Sequence, residues 1–323
     1  MLLVQLAIVA AAVAGGVRLF TNGIEWAGAL ARLSEAKAGS LLAAWGTALP
    51  ETLVPLLALG RGGGARTAIG VGAVLGAPLF LATLAMALLG LEALRRGGGV
   101  LGVAVSPAGL RRDLGWFIIA FASAVAASAL GPAGRVPTAA VLLGGYACYV
   151  RRTWGESGGE PLQPMAPLLL AARASRPPVW AVAAQTAIGF GAILLGAELF
   201  VALADRGAAS LGMDRFLLAA LVTPLATELP EVLNSLVWLA KGRDVLAVSN
   251  LTGAMAFQGS VVPTLAMLLS PWHLGGMEGA VALTAWMAAV WLRLAGRGGR
   301  LRPATLLGVG ALYPVLCLGL WGT

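Results

Sequence analysis

The chain has 323 residues, 59% of them hydrophobic and only 11% charged, with a mean hydropathy of +0.87. That composition excludes a soluble globular domain, and many apolar runs exceed the roughly 20 residues that cross a bilayer core. The formal charge of +8 would raise nucleic acid as a partner in a soluble protein; here it reads as loop topology, because basic residues collect in cytoplasmic loops.

Ten apolar spans follow one another near residues 2–21, 38–60, 67–91, 114–131, 136–150, 178–204, 214–240, 245–270, 274–294 and 303–321. The N-terminus is apolar from Met1 and has no basic stretch before its small residues, so it reads as the first membrane helix and not as a cleaved signal. Val100–Val105 is too short to cross. Trp154, Trp180 and Trp272 are expected in the interfacial aromatic belt. The longest polar stretch, residues 151–178, reads as a linker too short and too poor in apolar pattern for a folded domain. Loops after odd spans hold sixteen Lys and Arg residues and loops after even spans hold five. The odd loops and the linker are therefore expected in the cytoplasm, with both termini outside.

Cys148 and Cys317 lie in apolar segments and suggest packing, not a disulfide. The single histidine, His273, stands in a short loop with no HExxH and no Cys/His cluster, so a zinc site has little support, and no resident cofactor is expected.

One phrase occurs twice. Gly46–Glu51 reads GTALPE and Ala226–Glu231 reads ATELPE. Each places Pro and then Glu inside an apolar run, and a carboxylate in lipid signals a site by default. The surrounding sequence repeats without a gap at an offset of 180, pairing Gly16 with Gly196, Phe20 with Phe200, Thr47 with Thr227, Pro50 with Pro230 and Glu51 with Glu231. Beyond the motif the offset becomes 177, pairing Gly76 with Gly253 and Phe80 with Phe257. Five spans per half is an odd number, so the second copy inserts upside down. The expected organisation is a first inverted repeat over 1–150, a cytoplasmic linker over 151–178 and a second inverted repeat over 179–323.

Proline inside a helix removes a hydrogen bond, so Pro50 and Pro230 are expected to break helices two and seven. Carbonyls freed at such breaks coordinate cations. Glu51 and Glu231 would then face each other near the midplane, and facing carboxylates with backbone carbonyls suit a hard cation such as Ca²⁺. The bland readings stay beside this one. The glutamates could cap broken helices, Thr47 and Thr227 could bond to carbonyls one turn back, and Gln258 and Asn250 could be interhelical glue.

In these repeated motifs the chain resembles the cation/calcium exchanger superfamily, which includes sodium/calcium exchangers and calcium/proton antiporters. That family's repeat typically reads GTSLPE followed by GNxxGSNxFN. Here GTALPE is followed by GAVLGAPLFL (72–81), ATELPE by SNLTGAMAFQ (249–258), and the leads GVRLF and GAELF also correspond. The resemblance implies an all-α polytopic membrane protein of ten transmembrane helices in two inverted five-helix repeats, with spans two, three, seven and eight around the ion site. By position it implies ion ligation by Glu51, Glu231, Gln258, Thr47, Thr227 and Asn250.

The departures carry chemistry of their own. The motif serines are replaced by Ala48 and Glu228, and the polar positions of span three by Ala73, Ala77, Pro78 and Leu81. Glu51, Glu228 and Glu231 form the candidate metal-ligating set, with Glu228 and Glu231 three residues apart and able to share one helix face. Clustered carboxylates raise one another's proton affinity, so loss of the neutral oxygens that would take sodium shifts the expectation toward proton coupling.

The expected function is secondary antiport of Ca²⁺, or of Mg²⁺ or Mn²⁺, which carboxylates also accept, against Na⁺ or H⁺. The expected partners are metal cations, protons and the lipid bilayer, with no nucleic acid, and the expected location is a prokaryotic plasma membrane. Two other classes stay open: a family member that has lost transport and serves as scaffold or regulator, and an intramembrane glutamate-dependent enzyme, for which no nucleophile or metal constellation is found.

Overall fold

An apolar run in lipid has no water to satisfy its backbone, so it folds into helix, and helix makes up nearly all of the described residues. The computed structural model describes residues 2–30, 49–60, 62–97, 102–155, 166–174, 176–212, 214–240, 242 and 244–320. In order come α1 (Leu2–Leu30), α2 (Leu49–Gly60) and α3 (Gly64–Phe80), the last continuing through a π-helical turn, Leu81–Ala85, into α4 (Met86–Arg95). Then follow α5 (Pro107–Ala126), α6 (Pro132–Gly155), α7 (Val179–Leu211), α8 (Arg215–Thr227), α9 (Leu229–Ala240), α10 (Asp244–Gln258), α11 (Val261–Leu269), α12 (Gly276–Ala295) and α13 (Pro303–Leu320).

Among the described residues six segments are long and apolar enough to cross a membrane: Gly64–Arg95, Pro107–Ala129, Val179–Gly196, Ala247–Leu269, Gly276–Gly298 and Pro303–Leu320. Leu195, Ile119, Val141, Val315 and Leu318 are exposed on the outward faces, as lipid-facing positions should be.

Local chemistry sets the helix ends. Ser106 caps α5, its Oγ accepting from Gly109 N at 3.1 Å, and Pro107 occupies the first turn, where a missing N–H costs nothing. Asp214 caps α8 by accepting from Leu217 N. Apolarity alone places the start of this fourth span at 114; the cap starts the helix at 107 and draws Arg111, Arg112 and Asp113 into it. The short stretch before it holds strand β1 (Val103–Ala104), paired antiparallel with β2 (Arg300–Leu301). This clasp is reinforced by Asp244 at the start of α10. Its Oδ1 accepts from Arg96 Nη1 and its Oδ2 from Ala104 N, both at 3.0 Å.

Small residues let the backbones approach, as packing in lipid favours. The α1–α7 pair meets through Gly16 and Gly23 on one helix and Gly189 and Gly196 on the other. Helix α3 packs on α8 in the same way: a Cβ on Gly72 would strike the Phe216 carbonyl, and one on Gly76 the Ala220 carbonyl. The Ala220 carbonyl is the one that Pro224, lacking an N–H, leaves free within α8. The larger core cluster joins α3, α4, α5, α10 and α12 around fully buried Phe117, Phe121, Met86 and Leu89; a smaller one joins α1, α2, α3, α7 and α8.

Two sequence expectations need correction. Trp272 is not a belt residue: it is 1% exposed, and its Nε1 donates to the Ala124 carbonyl at 2.8 Å, a partner that burial demands. Trp180, by contrast, is exposed, and nothing is described of the Trp154 side chain. The linker, read as a polar connector, docks in part. Leu168 is fully buried against Ala181 and Val182. Gln185 Oε1 accepts from Leu170 N at 2.8 Å, its Nε2 donates to Asn22 Oδ1 at 2.8 Å and to the Leu19 carbonyl, and Asn22 Oδ1 also accepts from Leu169 N.

Candidate ion site

Helix α8 ends at Thr227 and α9 begins at Leu229, with Glu228 between them at φ −88° and ψ −2°. Pro230 stands in the first turn of α9, where proline is tolerated. Glu228 is fully buried and Glu231, in that same turn, is 1% exposed. Glu228 Oε2 accepts from Gln258 Nε2, at the end of α10, over 2.9 Å. Glu228 Oε1 and Gln258 Oε1 are buried and meet no hydrogen-bond donor among the described residues. Two buried oxygens facing no donor are costly as they stand, and they are the acceptor-only chemistry that a hard cation takes.

The other expected ligands fall differently. Thr227 is buried, but its hydroxyl donates to the Thr223 carbonyl one turn back. Asn250 Nδ2 donates to the Glu231 backbone carbonyl and to Ser235 Oγ, both at 3.1 Å, and so fastens α10 to α9. Thr47 lies outside the described residues. Glu51 falls in the first turn of α2, but its side chain also lies outside them. Among the described residues no three carboxylate, thiol or imidazole groups converge on one point.

A third buried acid is not evident in the sequence. Asp113 is 2% exposed, with its Oδ1 accepting from Arg112 Nε and Tyr149 Oη and its Oδ2 from Thr252 Oγ1, each at 2.9 Å. Its neighbours Arg111 and Arg112 disguised it as a loop charge.

The sodium/calcium exchanger protein family model matches residues 1–155 and 182–321. The chain belongs to that family. Its members are exchangers and not enzymes. The family model breaks at the polar linker and resumes just before Gln185.

A curated relative, described as a putative antiporter CaxA from Alkalimonas amylolytica, is 28% identical over 172 residues, which span 50% of this chain and 52% of the relative. The match thus spans about half the length of that relative. The H⁺/Ca²⁺ exchanger CAX crystal structure superimposes with a TM-score of 0.80 at 20% identity, over 98% of this chain and 82% of that one. YfkE does so at 0.71 and 14% identity over 98% and 91%. The sodium–calcium exchanger NCX_Mj gives 0.64 at 20% identity over 99% of both chains. At these identities the likeness is one of fold.

Proposed function

We propose that this exchanger-family protein is a secondary antiporter moving Ca²⁺, or a related divalent cation, against H⁺ by alternating access. The observation that carries the reading is the Glu228–Gln258 pair, fully buried at a helix interruption with two oxygens facing no donor. Glu51, Glu228 and Glu231 are the charged ligands in this reading, and Gln258 supplies a neutral oxygen. Thr227 borders the interruption with its hydroxyl on the Thr223 carbonyl, Thr47 is its repeat mate in sequence, and Asn250 fastens α10 to α9 beside it.

In this reading the chain is a ten-helix inverted repeat, residues 1–150 against 179–323, with helices two and seven interrupted at the LPE motifs. The pairing of α1 with α7 supports it, since these are the first helices of the two halves. The loop clasp and the linker belong to the cytoplasmic side of a plasma membrane, with both termini opposite.

Exchange without leak requires that the empty site cross the membrane poorly. Unneutralised buried carboxylates supply that barrier, because an isolated charge in low dielectric costs several kcal/mol, about the scale of a buried ion's desolvation. A divalent cation or protons on the same glutamates remove it. The hydroxyls and amides that would suit Na⁺ are replaced in span three by Ala73, Ala77, Pro78 and Leu81, which favours H⁺ as the counter-ion.

The test is Ca²⁺ flux in proteoliposomes with H⁺ and Na⁺ gradients imposed separately. Flux driven by the pH gradient and indifferent to sodium is expected. Flux driven by a sodium gradient and insensitive to pH would refute the proton coupling.

A further inference from the structure

Helix α10 presents different faces to different neighbours. At 3.6 residues per turn, Asn250 and Gln258 lie about 80° apart around its axis, whereas Thr252 lies about 200° from Asn250. Asn250 and Gln258 face α9 and Glu228. Thr252 faces the other way, onto α5, where it meets Asp113. The same seam continues along α5: Trp116 Nε1 donates to Ser260 Oγ at 3.3 Å, and Phe117 lies over Gly259 so closely that a Cβ there would strike its ring.

Asp113 is the hub of this seam. It gathers a donor from α10 (Thr252), one from α6 (Tyr149) and one from its own helix (Arg112), whose guanidinium also lies 5.9 Å from the centre of the Tyr149 ring. A carboxylate suits the place because it is acceptor-only and its two oxygens can take several donors. Arg112 neutralises it, without which burial of the charge would be strongly unfavourable. The start of α10 is held as well, by the Arg96–Asp244 ion pair. The back of the helix is thus fixed by ionic hydrogen bonds, while its front carries Gln258.

We propose that Asp113 is a positioning residue for exchange: through Thr252 it fixes the rotation of α10, so that Gln258 meets Glu228. This rests on the assignment of Gln258 to the ion site. An Asn at 113 offers one acceptor oxygen where three donors arrive and turns an NH₂ toward the rest, so Asp113→Asn should let α10 rotate. Thr252→Val removes one donor and should do the same more weakly; Thr252→Ser keeps the hydroxyl and should not.

The test has two readouts. In proteoliposomes, Asp113→Asn should raise the half-saturating Ca²⁺ concentration about tenfold with a smaller change in maximal rate, and should add nothing further in a Gln258→Ala background. Independently of transport, a Glu228→Cys/Gln258→Cys pair, with Cys148 and Cys317 replaced by Ser, is treated with a short bis-methanethiosulfonate cross-linker. Asp113→Asn and Thr252→Val should slow cross-linking several-fold, and Thr252→Ser should restore it. Unchanged cross-linking in Thr252→Val, which removes a single hydroxyl and needs no new fold, overturns the proposal, as does an additive effect with Gln258→Ala. If Gln258→Ala leaves flux intact while cross-linking responds to Asp113, the ion-site assignment falls and the positioning of α10 stands.

Discussion

Replacing Glu228 by Gln separates charge from geometry at the proposed site. The side chain keeps its length, and an amide oxygen can still accept from Gln258 Nε2, which now lies 2.9 Å from Glu228 Oε2. The hydrogen bond changes from charge-assisted to neutral, a loss of about 1 kcal/mol, and the protein no longer buries an ionisable group at a fully buried position. These effects oppose each other, so the melting temperature should move by no more than a few degrees. Cation binding should respond on a different scale. Two unit charges 4 Å apart at an effective dielectric constant near 20 interact by about 4 kcal/mol, and a divalent ion doubles that gross figure. Much of it is offset by dehydration of the ion. Breaking a buried charge pair by removing one partner costs about 3–5 kcal/mol net, and at about 1.4 kcal/mol per tenfold its lower end corresponds to a rise of at least roughly 100-fold in half-saturating Ca²⁺. The assay is Ca²⁺ uptake into proteoliposomes against concentration, with melting followed on the same preparation. A Glu228→Gln variant that melts like the parent and half-saturates within about threefold of it would refute the electrostatic argument.

Three further outcomes follow from the same structure. Glu51→Gln and Glu231→Gln should each nearly abolish exchange while the protein still inserts and melts cooperatively; near-normal flux in both would remove the LPE glutamates from the site. Gly76→Ala forces a methyl group against the Ala220 carbonyl across the α3–α8 seam, an overpacking that should destabilise by about 1–3 kcal/mol, read as a lower melting temperature. Gln185→Leu strands Leu170 N, at about 1–3 kcal/mol, and removes one of the two donors to Asn22 Oδ1, the other being Leu169 N, so hydrogen exchange at the Leu169 and Leu170 amides should quicken; unchanged exchange would show the linker contact to be dispensable.

The apolar runs announced the helices because hydropathy and length decide the matter in lipid. Helix ends were less legible. Membrane length predicts a span of about 20 residues, but α1 runs from Leu2 to Leu30 and α5 starts at Pro107, since a helix does not stop at the bilayer surface when caps and neighbours carry it on. Glu228, Glu231 and Gln258 stood out as polar groups in apolar sequence. Their roles did not: Asn250 and Gln258 are both amides on α10, and only the contacts separate the one that fastens α9 from the one that meets Glu228. Asp113 was hidden by its neighbours Arg111 and Arg112, and Trp272 by a loop composition that fits both an interfacial and a buried ring.

The two halves divide the labour unequally. In the first half, α3 lies backbone to backbone on α8 at Gly72 and Gly76, and Ala73 and Ala77 beside them are buried. A helix packed that closely has little room for longer polar side chains on the contact face, so the oxygens that the family places there are replaced by apolar closure. In the second half, α9 and α10 are joined through Asn250, and α10 is tied from behind by Asp113, which leaves Gln258 and Glu228 as a preorganised pair. Loss of neutral oxygens on one side and gain of a carboxylate on the other shift the proposed site toward a higher charge density. Such a site discriminates by charge before size. It favours a divalent cation over a monovalent one, because each added carboxylate attracts the former twice as strongly as the latter and so widens the gap between them, and it leaves the proton, which neutralises a carboxylate outright, as the competitor best able to empty it.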